Sequence, residues 1–241
     1  MTAGSLALFL VLGAGVGFAG GLFAIPLLTA VFAFTQHDAQ GTAMVMALSS
    51  AIVTLVIYVR KKLINVSDGL LMMTCSTVMG LVGAQLVRDV PDQALQRGFG
   101  VFLVVLAIIV WFGHLGEGQG TERITPAKQI AVGTFAGVLS GFFVVGGALV
   151  SVPLLERIAQ YSQQRAQAMV LLMLVPASAI GLVSYASAGY VRWEPAVALA
   201  IGAVALAPAG TRVALIMKPR LLRRLFAFVQ GGAGILLIVG R

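Results

Sequence analysis

Gly20-Gly21, followed five residues on by Pro26, and Gly146-Gly147, followed six residues on by Pro153, are the positions of this chain best suited to chemistry. A helix interrupted at glycine leaves backbone N–H groups without intrahelical partners, and a helix N-terminus carries roughly half a positive charge. Such ends bind an oxyanion without any buried cationic side chain. Polar side chains close to them in sequence are few. Gln40, with Thr42 beside it, and Gln167 stand at the start of a long apolar run in each half of the chain. They are candidates to donate hydrogen bonds to the same anion, with capping of their own helical turn as the competing role. His37 and Asp38 are candidates for proton coupling, because histidine changes charge near neutral pH; the alternative is a plain polar turn between segments. Arg212, whose counterpart is Gln85, is an electrostatic candidate unless it snorkels to the membrane surface.

Catalytic and metal chemistry find no support. Cys75 is the single cysteine, His37 and His114 are far apart and outside any HExxH-like pattern, and most of the eight acidic residues fall in expected loops. No catalytic residue, metal site or cofactor is expected, and the chain is not read as an enzyme. Cys75 suits a small packing residue. Ser49, Ser50 and Thr54 suit hydrogen bonds back to their own helix, and Tyr58 and Tyr185 an interfacial aromatic belt.

The elements that position these residues come in two copies. Residues 11–110 shifted by 127 fall on residues 138–237 without a gap. Gly20-Gly21…Pro26-Leu27-Leu28 lands on Gly147-Ala148…Pro153-Leu154-Leu155, Gln36 on Gln163, Ala39-Gln40 on Ala166-Gln167, and Tyr58 on Tyr185. The expected organisation is a first membrane repeat over 1–114, a connecting loop over 115–129 and a second repeat over 130–241. Glycines spaced by four, Gly13, Gly17 and Gly21 in one copy and Gly133, Gly137 and Gly141 in the other, also fit close helix packing.

Hydrophobic residues make up 59% of the 241 and charged residues 10%, with a mean hydropathy of +1.01. A soluble domain carries about 25% charged residues, so this chain lacks the polar surface to cover a soluble globule and belongs in a lipid bilayer. Its net charge of +8 comes from Lys and Arg in short loops, where they set orientation, and nucleic acid is not an expected partner. Six runs suit transmembrane helices, near 41–59, 68–87, 96–113, 167–187, 194–213 and 221–239. The opening segments, 5–34 and 130–160, are each about 30 residues, or about 45 Å as one straight helix against a hydrocarbon core of about 30 Å. Each either tilts strongly and crosses, or breaks at its glycines and returns. If all eight segments cross, Lys and Arg divide 7 to 9 between the two sides; if both Gly-Pro segments are re-entrant, they divide 12 to 4, as the positive-inside rule favours. Equivalent loops also carry opposite biases, as an inverted repeat requires. The expected fold is all-α and polytopic: two inverted repeats, each with one broken Gly-Pro segment and three transmembrane helices, both termini outside.

Gly13-Ala14-Gly15-Val16-Gly17-Phe18-Ala19-Gly20-Gly21 before Pro26, and Gly137 through Gly147 before Pro153, carry a family resemblance together with Ala39-Gln40-Gly41-Thr42 and Gly80-Leu81-Val82-Gly83-Ala84. In their order, spacing and duplication the chain resembles the sulfite exporter TauE/SafE family, within the toluene-sulfonate uptake permease superfamily, over essentially its whole length. The second half departs at Ala168-Met169, where the first has Gly41-Thr42. The resemblance implies transport of sulfite, a sulfonate or a related organic anion. Matched Gly and Pro interruptions in the two halves of a membrane protein are independently the mark of a secondary transporter. The expectation is therefore a multi-pass carrier of a bacterial inner membrane that moves a small anion by alternating access, with proton coupling and a homodimer both open. An anion channel and a non-transporting scaffold or assembly protein are the alternatives.

Overall fold

The computed structural model describes residue 9 and residues 24–64, 66–112, 124–144, 146–216 and 219–239. Among these residues there are nine α-helices and no strand: α1 (Ala24–Phe32), α2 (Gln36–Arg60), α3 (Leu70–Leu86), α4 (Asp92–Phe112), α5 (Pro126–Phe143), α6 (Gly146–Ile158), α7 (Gln163–Ser187), α8 (Trp193–Ile216) and α9 (Pro219–Val239). Five stretches are long and apolar enough to cross a bilayer, Gln36–Arg60, Val66–Asp89, Asp92–Phe112, Gln164–Ser187 and Trp193–Val213; Ala227–Val239 is a shorter apolar stretch. The fold is that of an all-α polytopic membrane protein.

Helix limits recur at the offset of 127. α2 and α7 begin and end at equivalent residues, as do α4 and α9. The local reasons recur too. Thr35 Oγ1 accepts from Asp38 N at 3.1 Å at the start of α2, and Ser162 Oγ accepts from Arg165 N at 3.4 Å at the start of α7. Both are N-cap hydroxyls. At the far ends, Leu63 N donates to Tyr58 O and Lys62 N to Val59 O, while Tyr190 N donates to Tyr185 O and Gly189 N to Ala186 O. Each pair is a Schellman motif, which needs its C′ residue in the left-handed region. Gly189 sits there at φ +79° and Lys62 at φ +55°. A Cβ on Gly189 would meet nothing within 4 Å, so its cost is backbone conformation alone. Gly189→Ala is expected to lower stability by about 1 kcal/mol and Lys62→Gly to raise it by a similar amount, read as opposite shifts of the thermal midpoint in detergent. Shifts of the same sign would show that these ends are held by other contacts.

By packing, the chain divides into two compact units: Met1–Ser50 with Asp89–Gly113 and Tyr185–Arg241, and Ala51–Arg88 with His114–Ser184. Each draws segments from both halves of the sequence. In the first unit α4 packs against α9, where Gly100 and Gly234 bring the two backbones together. In the second, α3 packs along α5 and α5 against α6. The α3–α5 seam is made of small residues. Gly133 lies against Met72 and Cys75, Gly137 against the backbone of Ser76, and Gly141 against the carbonyl of Gly80. Without a Cβ, these residues let helices approach to backbone contact, the usual means of association where lipid competes for apolar side chains.

The 130–160 segment is two helices. α5 ends at Val144 with φ +63° and ψ −57°, and α6 starts at Gly146. A β-branched residue at positive φ is an outlier and stores about 1–3 kcal/mol where the surroundings enforce it. Among the described residues the strained one at this break is thus a buried valine, two positions before the glycine pair, rather than a glycine.

Candidate functional site

Polar side chains are buried at the start of α2, in the first unit. Gln36, His37, Asp38, Gln40 and Thr42 are all at most 8% exposed. The segment is the first two turns of the helix, which corrects the expectation of a polar turn at His37-Asp38 and of a helix starting near 41. The reason lies elsewhere in the chain. Asp92, the first residue of α4, accepts from Gln36 N at 2.9 Å and His37 N at 3.1 Å, and its Oδ1 lies 2.6 Å from His37 Nδ1. A carboxylate placed there satisfies two of the N–H groups that a helix start leaves open and complements the helix dipole. Thr35-Gln36-His37-Asp38 also has the S/T-x-x-D/E spacing of a helix start, a signal that could have placed the boundary.

Asp38 is tied to the segment before α8. Arg192 donates to its Oδ2 from Nε at 2.9 Å and from a terminal nitrogen at 2.7 Å, and the Arg192 backbone N donates to Thr42 Oγ1 at 3.2 Å. The two partners differ in exposure: the Asp38 side chain is 12% exposed and that of Arg192 63%. Removing one partner of a buried pair is costly because the other is left uncompensated, whereas an exposed guanidinium keeps its water. Arg192→Gln is therefore expected to lower the thermal midpoint more than Asp38→Asn does. Equal losses would mean that Asp38 is solvated without its partner.

The amide of Gln40 is the most constrained polar group of this cluster. Gln40 is fully buried, and its Oε1 accepts from Tyr185 OH at 2.7 Å. Its Nε2 has no hydrogen-bond partner among the described residues, and neither amide atom of Gln36, one turn earlier, has one. The backbone here is held close as well, since a Cβ on Gly41 would strike the carbonyl of Tyr190. The Tyr190 ring lies 4.7 Å from that of His37 and 6.2 Å from that of Tyr185.

The second unit carries the counterpart. Tyr58 OH donates to Gln167 Oε1 at 3.0 Å. Tyr58 and Gln167 occupy the repeat positions of Tyr185 and Gln40, so the same pairing occurs twice with the halves exchanged. Both tyrosines are buried, at 3% and 2% exposure; they are interior hydrogen-bond donors rather than members of an interfacial belt. The ion pair recurs with its polarity reversed. Arg165, at the repeat position of Asp38, lies 3.7 Å from Asp68 in the segment before α3, and its guanidinium stands 4.4 Å above the Tyr161 ring.

A second polar place in this unit is the narrow seam where Ser76 of α3, Ser140 of α5 and Ser151 of α6 meet among Ala136, Val170, Met173 and Leu174, with no room for a free water molecule. Their equivalent positions at the offset of 127 are Ala203, Gly13 and Ala24, so this trio, one serine from the first repeat and two from the second, has no counterpart.

The remaining sequence candidates are placed as follows. Gly20 and Gly21 lie outside the described residues. Gly146 and Gly147 open α6, with Pro153 inside it. Pro26 is inside α1. Arg212 is exposed near the end of α8. Ser49 and Ser50 bond back to Val45 O and Ala47 O. The acidic residues are less confined to loops than expected: Asp38 and Glu156 are buried in helices, at 8% and 4% exposure. Sequence reasoning missed Asp92 and Glu156. Glu156 stands three residues past Pro153 in a run otherwise read as apolar, which was the available signal.

A model of the sulfite exporter TauE/SafE family matches residues 2–237. A probable membrane transporter protein of Methanocaldococcus jannaschii is 27% identical over 244 aligned positions, covering 95% of this chain and 91% of the relative. The probable membrane transporter protein YdhB of Bacillus subtilis is 26% identical, covering 92% and 93%. The probable membrane transporter protein YfcA of Escherichia coli is 24% identical, covering 88% and 79%.

Proposed function

Given that the chain belongs to the sulfite exporter TauE/SafE family and is a multi-pass membrane transporter, we propose that it is a secondary carrier of a small anion, sulfite, a sulfonate or a related organic anion, working by alternating access in a bacterial inner membrane. The observation that carries the anion reading is the Gln40 amide. Its oxygen is held by Tyr185 and its NH2 group is buried without a partner among the described residues. A buried donor left unmet costs about 1–3 kcal/mol, and an oxyanion is the ligand that meets it best, because hydrogen bonds to charged groups are the stronger ones.

Neutral donors suit a carrier. Amides and backbone N–H groups attract an anion without the cost of holding a charged side chain at membrane depth. The exchanged Tyr–Gln pairs and the ion pairs of reversed polarity support two inverted repeats, since an inverted duplication brings the end of a helix in one copy to the start of its equivalent in the other. The Gly-Pro break, with Gly146 and Gly147 at the start of α6, supplies further open N–H groups in the second unit. Export of an anion from a negative cytoplasm is favoured by about 2.3 kcal/mol per charge per 100 mV, so outward transport needs no further coupling and uptake does.

Uptake of labelled sulfite and of a panel of small sulfonates into proteoliposomes, with and without a pH gradient, tests the proposal. Saturable flux of one anion is the expected result. Flux linear in concentration would mean a channel, and folded protein moving none of them would discard the anion reading.

A further inference from the structure

We propose that Tyr58 and Tyr185 are positioning residues for transport, each carried by one half of the chain and orienting the glutamine of the other half, so that the amide NH2 rather than the amide oxygen is offered to the anion. The inference rests on the anion reading above and adds what sets the direction of the amides.

A glutamine amide has a donor end and an acceptor end of nearly the same shape. For a group meant to bind an anion the difference decides everything, because the oxygen repels what the NH2 attracts. Where a tyrosine donates its O–H to the amide oxygen, the NH2 is left as the free end. Tyr185 does this to Gln40 at 2.7 Å and Tyr58 to Gln167 at 3.0 Å. Each tyrosine is itself fixed through its backbone, as the residue whose carbonyl receives the longer bond of a Schellman motif: from Tyr190 N at 3.0 Å and from Leu63 N at 3.2 Å. Tyr185 is held further by the edge of the Tyr190 ring. Each phenol thus stands on a closed helix end and reaches the first turns of the equivalent helix of the other copy. Had these tyrosines served packing alone, phenylalanine would do as well at both, and burial of two hydroxyls would bring only a desolvation cost.

The test is a pair of double-mutant cycles in proteoliposomes with labelled sulfite as the probe. The variants are Tyr185→Phe, Gln40→Ala and their combination, then Tyr58→Phe, Gln167→Ala and theirs, each checked for an unchanged elution profile. Tyr185→Phe is expected to raise KM about ten-fold with kcat nearly kept, the size of one lost hydrogen bond to a charged group. Combining it with Gln40→Ala should be no worse than Gln40→Ala alone, and Tyr58→Phe with Gln167→Ala no worse than Gln167→Ala alone. Gln40→Glu, which keeps an acceptor for the tyrosine and removes the donor, should raise the KM for sulfite at least as far as Gln40→Ala does. Saturable wild-type flux with KM unmoved by Tyr185→Phe, or with Tyr185 and Gln40 penalties that multiply, overturns the positioning role and leaves the anion reading standing. Wild-type protein with no saturable flux of sulfite or of any sulfonate overturns both.

Discussion

Gln40→Leu weakens anion binding by about ten- to 150-fold while the helices stay in place; this is the largest functional effect expected from a single substitution in the chain. Gln40 is fully buried and its Nε2 has no partner among the described residues. A hydrogen bond to a charged ligand contributes about 1.5–3 kcal/mol, or roughly ten- to 150-fold in affinity at 1.4 kcal/mol per decade. Leucine removes the donor and also the acceptor of the Tyr185 hydrogen bond, a loss of about 0.5–1.5 kcal/mol of stability. The volume of the side chain is nearly conserved, so no cavity adds to that loss. Calorimetric titration of the purified protein with sulfite, beside the thermal midpoint of each variant, separates the two effects. A variant that binds sulfite as the wild type does would make Gln40 a packing residue.

The largest structural effect is expected from Gly137→Leu. A Cβ at this position would lie 2.8 Å from the Ser76 Cα and closer still to its carbonyl oxygen. These are backbone atoms of a neighbouring helix and cannot turn aside as a flexible side chain does. Overpacking costs about 1–3 kcal/mol in a core that can shift and more where two helix backbones must separate along their length. Loss of the folded second unit is the expected outcome, seen as aggregation in fluorescence-detected size exclusion. Gly98 and Gly232 are internal controls, since a Cβ at either meets nothing within 4 Å. Alanine there is expected to be neutral or to gain up to about 1 kcal/mol from helix propensity. Gly137→Leu protein that elutes and melts as the wild type does would show that the α3–α5 seam is looser than its geometry implies.

Much of the fold is legible in the sequence because a bilayer imposes a simple rule. Backbone polar groups in hydrocarbon must be paired within the segment, so runs of about 20 apolar residues become helices. Five of the six runs read this way coincide with long apolar helices, and the sixth lies in α9. The break before Gly146 is legible for a related reason, since glycine is where a helix gives way, whereas Pro153, read with it as one broken segment, lies inside α6. The site is legible only in part. Gln40 and Thr42 stand out as polar residues beside an apolar run, yet the same pattern placed His37 and Asp38 in a turn. A hydropathy pattern does not see a carboxylate 55 residues away that completes the helix start.

What the sequence determined by itself is whatever depends on neighbours along the chain: the helical segments, their duplication at an offset of 127, the break before Gly146, and the membrane as solvent. The tertiary structure alone decided which polar groups meet. Tyr185 and Gln40 are 145 residues apart, and Tyr58 and Gln167 109. Whether a buried tyrosine is a belt residue or a donor to an amide depends on which helix end lies beside it. The physical reason is range. Helix formation is settled by hydrogen bonds four residues long, whereas a buried hydrogen bond between side chains exists only once packing has brought its two ends within about 3 Å.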